Sequence, residues 1–233
     1  MPWDFWVIFL VLGVLVPWRG RKRLQHLLAL PRVEAKEKLA LYGWTIAFQW
    51  ALLGVVAWRA FARGLTSSQL GLAGELSLGL VCISLVGGAF LGAVQWFNLR
   101  RVSRTSGPIP ELMRKLAARL LPANNLELAP YCALSLTAGV CEEFLYRGFA
   151  MAALSRAGLV TWAVVVVTSI LFGLAHAYQG RSGIIGTTLM GFILAGCRVW
   201  TCSLIPGMVW HSAVDITAGI AGPKYFVFEQ PGK

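Results

Sequence analysis

Apolar residues in this chain come in runs of membrane-spanning length. Short segments rich in arginine, lysine, glycine or proline separate them. The pattern predicts seven helical spans, at about 3–18, 40–62, 76–98, 127–153, 159–178, 183–200 and 203–221. The first is short and reads as tilted or partly interfacial. The last two are divided only by the brief 201–206 connection. No soluble domain interrupts the series and no repeat is evident. The expectation is one integral membrane domain over 1–233, an all-α polytopic bundle of about seven spans (six to eight).

The 99–126 connection carries a different period. In Glu111-Leu-Met-Arg-Lys-Leu-Ala-Ala-Arg-Leu-Leu121 the leucines recur at helical spacing, with Arg114, Lys115 and Arg119 among them. This reads as an amphipathic helix on the membrane surface or, on charge alone, as a solvated loop helix. The segment 67–72 is expected to form the polar lead-in to the third span.

Composition fits this picture. The 233 residues are 57% hydrophobic and 13% charged, with a mean hydropathy of +0.67. A soluble domain of this length needs more charge to cover its surface. The net charge of +11 would raise the question of nucleic acid in a soluble protein. Here the basic residues crowd into connections, where topology and anionic lipid account for them, so membrane lipid is the expected partner and nucleic acid is not. One cluster is Arg19, Arg21, Lys22, Arg23, Arg32, Lys36 and Lys38; another is Arg100, Arg101, Arg104, Arg114, Lys115 and Arg119. With seven spans both lie on the side of the C-terminal Lys224 and Lys233. Arg59, Arg63 and Arg156 are left for the other side. The prediction is an external N-terminus and a cytoplasmic C-terminus, in a multi-pass protein of the plasma (inner) membrane. Asp4 precedes the first run and no small-residue cleavage site follows, so that run reads as a retained span, not a leader. Ten tryptophans read as interfacial anchors.

The five cysteines, Cys82, Cys132, Cys141, Cys197 and Cys202, show no CxxC and lie mostly in apolar runs, which points to small buried hydrophobes. Cys141 adjoins a carboxylate pair, but apolar surroundings disfavour a thiolate nucleophile.

Ionisable groups inside the spans carry the candidate chemistry. A charge at mid-membrane costs at least about 2.5 kcal/mol, so it is kept with a partner or a role. The run Cys141-Glu142-Glu143-Phe144-Leu145-Tyr146-Arg147 puts two carboxylates and an arginine in an otherwise apolar segment. Glu143 and Arg147 share a helix face and are expected to pair. Glu142 points about 100° away and is the carboxylate left over, a candidate general base. His176 ends the sequence Phe172-Gly-Leu-Ala-His176, and His211 and Asp215 share a face of the last span. The third histidine, His26, lies in a basic connection. An interhelical brace of Glu, Arg and His is the bland alternative for this set.

Glu142-Glu143-x-x-x-Arg147, Phe172-x-x-x-His176 and His211-x-x-x-Asp215 occur in the order of three motifs of the CAAX protease and bacteriocin-processing family of intramembrane proteases. The segment 127–220 resembles the catalytic core of that family; the first half of the chain shares only its helical, apolar character. The resemblance implies a bundle enclosing a membrane-embedded polar cavity and an endopeptidase acting on a membrane-associated or lipidated peptide or protein. It implies that Glu142 activates water with help from His176, that His211 and Asp215 stabilise the oxyanion, and that Glu143, Arg147 and Phe172 support them. The prenyl endopeptidases carry asparagine at the position of Asp215. An ionised carboxylate cannot donate to an oxyanion, so Asp215 acts protonated or instead orients His211 as an acceptor.

Zinc held by Glu142, His176 and His211 is an alternative to metal-free catalysis. The absence of HExxH spacing favours the metal-free form, with no cofactor. Two other functions compete: a non-catalytic immunity or scaffold protein of the same family, and a proton-coupled transporter. The second would use intramembrane Glu and His but lacks an inverted repeat.

Overall fold

The computed structural model describes residues 1–30 and 33–228, with the side chains of 108–110 and 228 left aside. Arg32 and Lys233, counted above in the charge asymmetry, fall outside the described residues.

Eight helical bodies, and no strand, make up the described residues. Helix α1 spans Trp3–Ala29, α2 Ala35–Ala62, α3 Leu78–Ser103 and α4 Pro108–Leu120. Helix α5 begins at Asn125–Glu143, passes through a π-helical stretch at Phe144–Ala150 and ends with Met151–Arg156. Helix α6 covers Thr161–Ala175, α7 Gly180–Thr201 after a 3₁₀ turn at Ala177–Gln179, and α8 Ile205–Pro223 with a final π turn at Lys224–Phe228. Seven of the eight match the expected spans in order, and α4 is the amphipathic connection. This is the all-α membrane bundle that the apolar pattern predicts.

Four helices are long and apolar enough to cross a membrane: Trp3–Ala29, Ala35–Ala62, Leu78–Ser103 and Ala177–Thr201. Between 17% and 22% of their most apolar windows is buried inside the protein, so most of that surface faces outward, as lipid contact demands. Trp3, Trp44, Trp58, Trp162 and Trp200 are all exposed.

Local signals set the helix ends. Glu34 and Glu37 form a capping box, and the Ser77 and Asn124 side chains accept the N–H groups of Leu80 and Glu127. Cys202 takes a left-handed backbone (φ 53°) that stops α7, and Pro206 opens α8 a few residues later.

Two expectations are corrected. The 19–23 basic cluster does not end the first helix, which runs on to Ala29. Loss of apolarity marks where a helix leaves lipid, and Arg, Lys, Leu and Gln are good helix formers in water. The 67–72 segment is not the lead-in to α3, which starts at Leu78 and is capped by Ser77. Its Leu70 is fully buried, and its Gly71 carbonyl accepts the Leu204 N–H at 3.0 Å, so it docks on the α7–α8 turn.

The two ends of α2 are tied by buried charge. Near its start, Lys38 Nζ donates to the Leu121 carbonyl at 2.8 Å and pairs with Glu127 at 3.2 Å, while the Tyr42 hydroxyl donates to the Leu120 carbonyl at 2.8 Å. The last carbonyls of α4, which have no intrahelical partner, are thereby satisfied. Near its other end, Arg59 and Arg63 both reach Asp4 through Nε, at 2.8 and 3.1 Å, and lock α1 to α2. Between them lies an apolar core that includes Phe5, Leu12, Val56, Phe144, Phe149 and Phe172 and joins α1, α2, α5 and α6. Replacing Lys38 with methionine leaves the Glu127 carboxylate, 3% exposed, without its cation. Thermal unfolding in detergent should show a loss of about 3–5 kcal/mol; an unchanged transition would mean the pair is not buried as described.

Candidate active site

The carboxylate pair sits at the last α-helical turn of α5, directly before the π-helical stretch at Phe144–Ala150, every residue of which is buried. Such π segments occur mostly as short insertions within α-helices and are frequent at functional sites. Here it carries Arg147 into the interior, with no exposed surface.

Glu143 and Arg147 pair as their spacing implies, Arg147 Nη1 lying 2.8 Å from Glu143 Oε1. The same Glu143 oxygen receives His211 Nδ1 at 3.0 Å, from α8. Arg147 also donates through Nη2 to the Gly191 carbonyl of α7 at 3.3 Å, and its guanidinium carbon lies 4.2 Å from the centre of the Phe172 ring of α6.

Glu142 faces a different set of groups, as expected of the second carboxylate. Gln49 Nε2 of α2 donates to its Oε1 at 2.7 Å. Its other oxygen lies 4.0 Å from His211 Nε2, and that nitrogen is 3.7 Å from Asp215 Oδ2. With Nδ1 committed to Glu143, the His211 ring presents Nε2 to both remaining carboxylates, at distances too long for direct hydrogen bonds. The Glu142 side chain is 19% exposed and that of Asp215 37%, against 1% for Glu143. The cluster therefore opens outward on the Glu142 and Asp215 side.

His176 follows α6 immediately and its Nδ1 lies 2.9 Å from the Phe172 carbonyl. Phe172 touches both histidines, with ring centres 4.8 Å from His176 and 5.5 Å from His211. No hydrogen bond or ion pair joins His176 to Glu142 or His211 among the described residues. The expected histidine pair is thus in one neighbourhood, linked through an aromatic ring and not through a polar contact. Tyr178, whose ring is centred 5.9 Å from that of His176, extends the same wall.

For zinc the fit is poor. Among the described residues no group of three or more His, Cys, Asp or Glu side chains is arranged to hold a metal ion. The five cysteines are unbonded, and Cys141 is buried beside Glu142.

Gln49 is the participant that spacing did not reveal. Its signal was available: an amide in the middle of the apolar run 40–62, where a polar group without a partner is costly. Its partner is 93 residues away, beyond the reach of any local pattern. An open groove of about 520 Å³ lies between α3 and α8, lined by Gly88, Gly92, Ala213 and Thr217 and by none of the site residues.

An all-helical membrane bundle whose interior holds two carboxylates of α5, histidines beside or on two further helices, and an arginine paired within belongs to the class of membrane proteins with an embedded polar site. Residues 124–217 match the family described as type II CAAX prenyl endopeptidase Rce1-like, and this segment contains all three motifs that carried the resemblance. The resemblance to the CAAX protease family is borne out over that segment, and at family level the match is to CAAX-type intramembrane proteases. No curated protein and no solved structure matched the chain.

The Glu143–Arg147 pair is fully enclosed, so removing one partner exposes the other. Arg147→Met should cost about 3–5 kcal/mol in thermal unfolding, and Arg147→Met with Glu143→Gln should be less destabilised than Arg147→Met alone. Equal losses in the single and double variants would show that the pair is not the unit.

Proposed function

We propose that the protein is an intramembrane endopeptidase in which Glu142 activates a water molecule against a peptide bond of a membrane-associated or lipidated substrate. The catalytic core is 127–220, within a single membrane domain over 1–233. The observation that supports this most is the setting of Glu142. One oxygen is held by Gln49, and the other shares the space in front of His211 Nε2 with Asp215. Separations of 3.7 and 4.0 Å suit a single water bridging them with hydrogen bonds of about 2.8 Å.

In this reading Glu142 takes a proton from water as its oxygen bonds to the scissile carbonyl carbon. The resulting tetrahedral oxyanion meets His211, which donates through Nε2 while Nδ1–H remains on Glu143. The proton on Glu142 passes to the leaving nitrogen, the C–N bond breaks, and a carboxylic acid and an amine leave, the acid then giving its proton to solvent. Asp215, an acceptor beside Nε2 and carrying no proton to give when ionised, orients the His211 ring. Its aspartate identity therefore fits a positioning role better than an oxyanion donor. His176 lines the same site through Phe172 and assists the water. Glu143 and Arg147 hold His211 in place. The protein acts in the plasma (inner) membrane with its C-terminus cytoplasmic.

Glu142→Gln should abolish cleavage without lowering the unfolding temperature. A proteomic comparison of cells carrying wild type and this variant should reveal a membrane protein whose fragment disappears. In the same comparison Gln49→Leu should reduce cleavage by roughly tenfold or more, the weight of one hydrogen bond to a charged group. Wild-type proteolysis by Glu142→Gln would leave the non-catalytic immunity or scaffold reading. The reaction as written needs no resident metal, so cleavage by purified protein should survive a chelator. Loss on chelation with recovery on added zinc would favour Glu142, His176 and His211 as ligands.

A further inference from the structure

The end of α3 carries a second feature, unconnected with the carboxylate site. Phe97, Arg100, Arg101, Arg104 and Thr105 line an open groove of about 470 Å³. The positions recur at helical spacing, so the three guanidiniums lie along one face. That face continues into the bundle's apolar surface as Phe97, Val94 and Phe90, exposed by 63%, 47% and 65%. One continuous stripe is thus apolar for several turns and then cationic.

The end of α8 packs beside this stripe. Trp96 packs edge-on against Tyr225, ring centres 5.8 Å apart, and Lys224 lies 5.6 and 5.7 Å from the two ring centres. Tyr225 is buried in this packing, so the level is marked by the change along α3 from exposed apolar Phe97 to cationic Arg100, with Lys224 beside it, as at a headgroup boundary. A rise of about 1.5 Å per residue puts Arg100 roughly 6 Å and Arg104 roughly 12 Å beyond Trp96 along the helix. The amphipathic α4 touches α3 and α1 at this same end.

These arginines are not consumed by the protein. Helix α3 contains no acidic residue. Glu111, the next acid along the chain, lies 3.9 Å from Arg114 and 3.3 Å from Lys115. The carbonyls at the helix end are taken by hydroxyls, with Ser103 donating to Arg100 at 2.9 Å and Thr105 to Val102 at 2.8 Å. Among the described residues the three guanidiniums form no side-chain hydrogen bond or ion pair. Other basic residues of the chain are engaged: Arg119 by the Leu30 carbonyl, Lys38 by Glu127, and Arg19 by the Phe48 ring.

We propose that this face is a binding site for one anionic phospholipid. Arg100, Arg101 and Arg104 grip its phosphate with planar, multidentate hydrogen bonds, and an acyl chain lies along Phe97, Val94 and Phe90. Lipid is the committed source of the phosphate because the cationic patch is continuous with an apolar stripe that free phosphate cannot use.

The test is native mass spectrometry of the whole protein in detergent, titrated with phosphatidylglycerol or phosphatidylcholine. Wild type should retain one phosphatidylglycerol in preference to phosphatidylcholine. Arg100→Gln/Arg101→Gln/Arg104→Gln should weaken that binding by about tenfold or more. A charge-matched control, Arg21→Gln/Lys22→Gln/Lys36→Gln, removes three exposed basic residues elsewhere and should bind as wild type does. If the triple variant does not fold, Arg101→Gln alone should still weaken phosphatidylglycerol and spare phosphatidylcholine. An equal loss in the control would reduce the effect to general positive charge and overturn the site, as would equal retention of the two lipids. Thermal stabilisation by inorganic phosphate as large as that by phosphatidylglycerol would assign the site to free phosphate instead.

Discussion

A single carboxylate oxygen holds the interior together. Glu143 Oε1 receives Arg147 from its own helix and His211 from α8, at 2.8 and 3.0 Å. Arg147 then reaches the Gly191 carbonyl of α7 and the Phe172 ring of α6. Four helices therefore meet on one ion pair. In an apolar interior a carboxylate or a guanidinium alone is strongly unfavourable, so neither end can be released without disturbing the other. That constraint fixes the His211 ring and leaves its Nε2 pointing at Glu142 and Asp215.

The adjacent carboxylates consequently divide the work. Glu143, enclosed and doubly hydrogen-bonded through one oxygen, is spent on structure. Glu142, partly open and held by one neutral amide, keeps an oxygen uncommitted. A neutral donor steadies a base without cancelling its charge, whereas the arginine that holds Glu143 would. Two neighbours in sequence thus acquire different duties because a helix turns about 100° between them.

Much of this was legible in the chain. Apolar periodicity located seven of the eight helices, and the four-residue spacings of Glu143 with Arg147 and of His211 with Asp215 correctly put each pair on one face. Local spacing is readable because helical geometry is fixed in advance of the fold. What was not legible depends on the tertiary arrangement. Gln49 meets Glu142 across 93 residues, and no pattern within α2 marks which polar residue faces α5. The π-helical stretch after Glu143 has no compositional signature, since its backbone path answers to packing around Arg147. The extension of α1 past the basic cluster was missed because hydropathy reports immersion in lipid, not helicity. His176 was placed inside a span by its apolar neighbours, yet it falls on the helix cap, where Gly180 (φ 76°) and the 3₁₀ turn redirect the chain.

The distance between Glu143 and His211 is itself set by backbone approach. Helices α5 and α8 face each other through Gly139 and Gly207. A β-carbon at Gly207 would lie 3.1 Å from Glu143 Oε2, and one at Gly139 would run into Ser212. Close approach of this kind is how small residues bring membrane helices together when lipid offers no hydrophobic drive. At larger helix separation His211 Nδ1 would lose the Glu143 oxygen. Its Nε2 would then no longer be directed at the space shared by Glu142 and Asp215. The glycines hold no catalytic group, but the geometry of the site follows from the contact they permit.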